Sequence, residues 1–147
     1  MFCEKQGKHI LHYTVSEIDY SKIKILIADD VKLNIVLVQK ALSFKPYNII
    51  TANNGTEAIE LIKAENPDIL LLDIMMPGLD GYEIIRRVRN GEAGKKDVRI
   101  VILSALNNEK DKQEGYDAGA NDYLTKPIMI PHLLEVVNNQ VEALLKK

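Results

Sequence analysis

Five short apolar runs, separated by stretches with helical spacing, leave this chain few ways to fold. The runs are 23–28, 48–52, 69–73, 99–104 and 122–125, and helical patterns fill the gaps at about 32–44, 55–65, 81–90, 109–118 and 130–146. Strands that read as near-continuous Ile, Leu and Val are covered on both faces, as in a parallel sheet with helices on each side. Five such units predict an α/β fold: a doubly wound five-stranded parallel sheet of flavodoxin-like strand order 2-1-3-4-5, with five helices. In that order the chain reverses direction between strands 1 and 3. Ligands bind outside the carboxyl ends of the strands at that reversal.

The residues placed at those ends carry the chemistry. Asp29 and Asp30 follow Ile25-Leu26-Ile27-Ala28, and Asp73 follows Ile69-Leu70-Leu71-Leu72. Ser104 follows Val101-Ile102-Leu103, and Lys126 follows Tyr123-Leu124-Thr125. Three carboxylates, a hydroxyl and an ammonium thus meet at one edge, a set suited to a metal ion and a phosphoryl group. Carboxylates within ~5 Å, at an effective dielectric of ~20, repel by roughly 3 kcal/mol per pair. A fold tolerates this with a cation present or with one acid protonated. Hard oxygen ligands, few and open to solvent, favour Mg²⁺ with retained waters over a zinc or calcium cage.

Each residue also has a plainer reading. An Asp just before a helix is a favoured N-cap, which explains Asp29-Asp30 as well as chemistry does. Ser104 at a strand end is slightly more often a turn or capping residue than a functional hydroxyl. Tyr123, by strand alternation, is most simply an edge aromatic packed under the last helix. Asp73 is harder to dismiss, because a carboxylate after four buried aliphatics needs a partner. Lys126 by base rate is a surface lysine, but Pro127 restricts it to extended geometry and aims its stem along the strand toward the acids. Asp73 is the natural nucleophile, with Mg²⁺ on Asp30 and Asp73 as one positive clamp, Lys126 as the second, and Ser104 as a hydrogen-bond donor.

At 147 residues the chain is one domain's worth. Residues 1–21 lack periodicity and read as an N-terminal extension, in which His9 to Tyr13 offers an edge strand; residues 22–147 are the folded domain. The net charge of −2 gives no electrostatic footprint for nucleic acid. The single cysteine, Cys3, allows no internal disulfide, and the N-terminus has no apolar core like that of a signal peptide. No apolar run approaches a membrane span, so the expected location is the cytoplasm, with no membrane or nucleic-acid partner. Leu33, Leu37, Ala41 and Phe44 form one apolar stripe, and Leu134, Val137, Val141 and Leu144 another. Asn53 or Asn54 caps the second helix, Pro67 forbids its continuation, and Gly119 stands where a helix C-terminus wants glycine.

From Lys22 onward the sequence resembles a response-regulator receiver domain of two-component phosphorelay signalling. The motifs that carry this are Ile25 to Asp30, Asp73-Ile74-Met75-Met76-Pro77-Gly78-Leu79-Asp80-Gly81, Ser104-Ala105, and Gly119 to Pro127. The resemblance implies that Asp73 accepts a phosphoryl group from a phosphohistidine on a sensor histidine kinase or histidine phosphotransfer protein. Asp29, Asp30, Asp73 and the backbone carbonyl of Met75 would hold Mg²⁺, and Lys126 would contact the phosphoryl group. Ser104 and Tyr123 would be the switch pair, with Ser104 drawn to the phosphoryl group and the Tyr123 ring moving into the space it leaves. The Lys126–Pro127 peptide would be cis. The signal would leave through the fourth helix, fifth strand and fifth helix toward a downstream protein, with a phosphorylation-dependent homodimer among the assemblies the family allows.

Such domains commonly precede an output domain, and none is expected within these 147 residues. Such a protein is regulatory rather than an enzyme, although it assists its own phosphorylation and dephosphorylation. None of His9, His12 and His132 falls near the acids, so the phosphoryl donor is another protein. Three rival readings fit less well. An aspartyl phosphatase of the haloacid dehalogenase type needs an Asp where Met75 stands. A flavin or nucleotide site needs a Gly-rich or hydroxyl-rich loop where Asp29-Asp30-Val31-Lys32 stands. An inert receiver-like interaction domain usually lacks part of the acidic set or the lysine, and here all are present.

Overall fold

The computed structural model describes residues 18–146, and the strand offered by His9 to Tyr13 lies outside the described residues. After a short 3-10 turn at Tyr20–Lys22 come β1 (Lys24–Ala28), α1 (Lys32–Leu42), β2 (Asn48–Ala52), α2 (Gly55–Glu65) and β3 (Ile69–Asp73). Then follow α3 (Gly81–Arg89), β4 (Arg99–Ser104), α4 (Glu109–Ala118), β5 (Asp122–Thr125) and α5 (Ile130–Leu145). The strands form one parallel sheet of order β2-β1-β3-β4-β5, as expected.

Side chains alternate between two cores. Ile25, Ile27, Ile69, Leu71, Val101, Leu103 and Leu124 pack against α1 and α5. Leu26, Leu70, Leu72, Ile100, Ile102 and Tyr123 pack against α2, α3 and α4. Each buried Ile or Leu contributes roughly 1.5–3 kcal/mol, whichever face it takes. A one-residue slip of β3 would therefore exchange one apolar set for another, and the polar ends must fix the register. At the start of β3, Asp68 accepts the backbone N–H of Lys24 at 2.9 Å. At its end Asp73 is placed against Leu103 of β4.

Helix ends follow local chemistry. Asn54 caps α2 by accepting the Glu57 N–H at 2.8 Å, and the Glu57 carboxylate accepts the Asn53 N–H at 2.7 Å. Asn66, left-handed at φ 53°, ends that helix before Pro67. Gly119 ends α4 at φ 124°. The Lys126–Pro127 peptide is cis.

The apolar stripe expected to bury α1 does not. Leu33, Leu37 and Phe44 are 65%, 50% and 62% exposed, while Ile35, Val38 and Leu42 enter the core. α1 is apolar on two faces, and spacing alone cannot choose between them. In α5 Val137 and Val141 are buried as expected, with Leu133 and Val136 beside them and Leu134 and Leu144 only half-buried.

α4 is the most loosely seated helix, with Gly115 its one buried residue. A Cβ there would lie 2.6 Å from Cδ1 of Ile102 and 3.5 Å from the Tyr123 ring, so the glycine lets the helix sit close without displacing the end of the Ile102 side chain. Its C-terminal end is fastened by Arg89 of α3. That guanidinium donates to the Gly119 carbonyl at 2.9 Å, to the Lys96 and Val98 carbonyls at 2.6 Å, and to Oδ1 of Asn121 at 2.9 Å. Asn121 Oδ1 also accepts the Ile100 N–H.

Candidate functional site

Asp29, Asp30 and Asp73 converge where β1 and β3 end side by side, with carboxylate oxygens all within 4.8 Å of one another. Asp29 and Asp73 are 1% and 4% exposed, and Asp30 opens to solvent. Lys126 reaches back from the end of β5 as its sequence context predicts. Its Nζ lies 2.8 Å from Asp29 Oδ2 and 3.0 Å from Asp73 Oδ2. The Lys126 N–H donates to the Ser104 carbonyl at 2.7 Å, which sets the lysine one step beyond the sheet.

Neither aspartate is the N-cap of α1. Val31 holds that position without a side-chain bond. Asp29 instead points into the cluster, where Oδ1 accepts the Val31 N–H at 2.9 Å and Oδ2 accepts the Asn34 amide at 3.2 Å. Capping is not what these residues are for.

One ammonium serves two buried carboxylates, and the electrostatics show the shortfall. Burial pushes the Asp73 carboxyl above the usual range, against the Lys126 hydrogen bond, the Met75 N–H and the Lys126 charge, while the Asp29 charge adds to the upward push. Burial also disfavours the Lys126 charge, but the hydrogen bonds and charges of Asp29 and Asp73 outweigh it and hold the ammonium above its ordinary range. The ion pair stabilises the lysine fully and Asp73 only in part. An under-neutralised set of three hard oxygen donors, one of them facing solvent, fits a small divalent cation.

The loop after Asp73 is fixed from two sides. Asp73 Oδ1 accepts the Met75 N–H at 2.9 Å, while the Met75 side chain is exposed. The loop also leans on the start of α2, where the Gly55 N–H donates to the Pro77 carbonyl at 3.0 Å. A Cβ on Gly55 would stand 2.0 Å from the Leu79 carbonyl oxygen, so that approach requires glycine.

Ser104 is fully buried, and its hydroxyl accepts the Leu106 N–H at 3.1 Å, the turn role open to it from sequence. Tyr123 does not lie under the last helix. Its ring is 7% exposed and packs in the core beneath α4, and its hydroxyl donates to the Leu106 carbonyl at 2.7 Å. The inward position that the switch reading gave as a destination is already held by the ring. Burial raises the phenol's pKa, partly offset by the Ser104 hydroxyl.

Asn34, Gly55 and Arg89 have roles that sequence reasoning did not find. Asn34 stands on the first turn of α1, on the side of the acids, and that spacing was its only signal.

A profile of the family described as "Response regulator receiver domain" matches residues 25–138. Response regulator MprA of Mycobacterium ulcerans is 40% identical over 113 residues, which cover 76% of this chain and 47% of that protein. Response regulator PleD of Caulobacter vibrioides is 36% identical over 105 residues, covering 71% of this chain and 23% of that protein. The chain thus spans about half the length of the first curated relative and less of the second. The Francisella response regulator 1452 receiver domain superposes with a TM-score of 0.76 at 34% identity, covering 83% of this chain and 98% of that one. With the strand order, the acidic cluster and the strand-end lysine in place, these likenesses agree: the chain belongs to the response regulator receiver domain family, the regulatory phosphoacceptor modules of two-component signalling.

Proposed function

We propose that Asp73 is the phosphoacceptor and that a histidine kinase or histidine phosphotransfer protein is the donor. The observation that supports this most is the Lys126 ammonium placed between Asp29 and Asp73. An Asp73 carboxylate oxygen attacks phosphorus in line. The O–P bond forms as the P–N bond of the phosphohistidine breaks, and its electron pair returns to the imidazole. Lys126 neutralises charge on the equatorial oxygens, and the Met75 N–H fixes the orientation of the carboxylate. Asp29, Asp30, Asp73 and the Met75 carbonyl would hold Mg²⁺, which when bound neutralises phosphoryl oxygens as a Lewis acid. The same grouping assists hydrolysis of the acyl phosphate, so the domain governs its own phosphorylation and dephosphorylation.

Residues 22–147 form the receiver in this reading, with 1–21 as an extension. The donor would approach beside α1, whose solvent-facing Leu33, Leu37 and Phe44 suit a helical partner. Ser104 and Tyr123 pass the signal on, and the output face is α4, β5 and α5, toward a downstream protein or a phosphorylation-dependent second copy. Because the Tyr123 ring is already inward, phosphorylation acts by stabilising that position rather than by opening it. Among the described residues no helix is long and apolar enough to cross a membrane; a cytoplasmic setting suits partners of this kind.

Incubation with acetyl phosphate and Mg²⁺, followed by intact-mass measurement, tests the reading. Addition of one phosphoryl group to the parent and none to Asp73→Asn is expected. Equal labelling of both would assign the acceptor elsewhere.

A further inference from the structure

We propose that Asn34 is a positioning residue for phosphoryl transfer, holding the Asp29 carboxylate when the Lys126 ammonium leaves it for a phosphoryl group on Asp73. The inference rests on the phosphoacceptor reading above and deepens it. Asp29 Oδ2 is a shared acceptor, bound by Lys126 Nζ at 2.8 Å and by the Asn34 amide at 3.2 Å. Asp29 is 1% exposed, so it cannot turn to bulk water when one donor departs. Lys126 has one ammonium for Asp29, Asp73 and any phosphoryl oxygens, and phosphoryl oxygens outbid a carboxylate that already has other donors. The Val31 N–H serves only Oδ1, which leaves Asn34 as the protein donor that keeps Oδ2 bonded, beside any bound Mg²⁺.

The residue type suits that task. A lysine or arginine at 34 would neutralise Asp29 permanently and repel a metal ion. An aspartate would add a fourth negative charge, and a leucine would donate nothing. An amide donates without altering the charge of the cluster. Asn34 is not engaged in capping α1, since the N-cap is Val31 with no side-chain bond. It also lines, with Asp29, Lys126 and Pro127, a pocket of about 180 Å³.

Two measurements test this on the whole chain. The first is the affinity for beryllium fluoride, a phosphoryl mimic, at saturating Mg²⁺. Asn34→Leu, close in shape but without a donor, should weaken it about tenfold, the size expected of one hydrogen bond to a charged acceptor. The second is a double-mutant cycle on denaturant unfolding without metal or mimic. Asn34→Leu should cost clearly more stability in a Lys126→Met background than in the parent, because Asp29 then depends on the amide. Unchanged mimic affinity in Asn34→Leu, or strictly additive stability losses, would overturn the proposal while leaving the phosphoacceptor reading intact. A parent protein that takes up no beryllium fluoride would overturn both.

Discussion

Ser104 and Tyr123 meet on the backbone of one residue, Leu106: the serine hydroxyl accepts its N–H at 3.1 Å and the phenol donates to its carbonyl at 2.7 Å. Movement of either side chain would break a hydrogen bond to the β4–α4 loop. Recruiting the Ser104 hydroxyl to a group on Asp73 would release the Leu106 N–H, and the peptide that follows also carries the tyrosine's acceptor. The loop backbone thus offers one link between the two, beside the Ser104 hydroxyl that itself acts on the phenol.

Ser104→Ala removes the acceptor of the part-buried Leu106 N–H and should destabilise the fold by about 1 kcal/mol, the net worth of one hydrogen bond. Labelling of Asp73 should persist. Amide exchange across 104–130 with and without a phosphoryl mimic reads the response, and the difference between the two states should shrink. An undiminished difference would place the switch elsewhere.

Asp73→Asn should raise the stability of the metal-free protein at neutral pH. Burial, over the opposing Lys126 contacts, lifts the folded-state pKa of this carboxyl above its ordinary value. The fold therefore favours the protonated form. That contribution is fully present below the unfolded carboxyl's pKa and is lost as pH rises through the raised folded one. Asparagine keeps the neutral form at all pH values, so its advantage should vanish as the solution is acidified. Thermal melts at a series of pH values, with metal chelated, will show whether the two curves converge in acid.

Asp30→Ala should cost most of the Mg²⁺ affinity measured by calorimetry, yet leave the metal-free melt unchanged or slightly higher. The reason is that Asp30 caps nothing: the N-cap is Val31. Relief of carboxylate repulsion is then the only change expected without metal.

Gly55→Ala should weaken Mg²⁺ binding from a distance. Its Cβ would stand 2.0 Å from the Leu79 carbonyl oxygen, a backbone atom that cannot rotate away, so the loop carrying Met75 must shift. A stability loss of about 1–3 kcal/mol is expected from the overpacking. Gly115→Ala meets only the end of the Ile102 side chain, at 2.6 Å, and should cost less.

At alkaline pH Tyr47, beside the sheet edge, should be one source of lost stability. Burial, with the Tyr20 phenol edge-on beside it, pushes the Tyr47 phenol up to about 12. A raised tyrosine pKa means that stability is complete below about 10, where the unfolded phenol titrates, and is lost as pH climbs toward the folded value. Tyr47→Phe should flatten that decline in alkaline melts.

Strands and site were legible in the sequence for one physical reason. A buried parallel strand must be apolar throughout, so the first polar residue after it marks both its end and the functional edge. Asp29, Asp73, Ser104 and Lys126 announced themselves in this way. Choices between equivalent surfaces were not legible. The two apolar faces of α1 have the same period, and Tyr123 could pack beneath either neighbouring helix. Asn34 is one polar residue among many on an exposed turn until the fold sets it against Asp29. Arg89 gathers acceptors from Lys96 to Asn121, a grouping that exists only once three connections have converged.

That arginine sets the mechanics of α4. The helix is pinned at its last turn, where Arg89 grips Gly119, and it buries only Gly115 fully, with Ala118 half-buried against the core. On the proposed reading it would act as a lever with its fulcrum at the end remote from the acids. A small displacement of Leu106 would enter at the other end, where the Tyr82 hydroxyl reaches the Asp111 carbonyl at 3.4 Å, and would turn the outer surface that carries Lys110, Gln113 and Asp117. Such a domain would move one helix while the rest of its sheet stayed still.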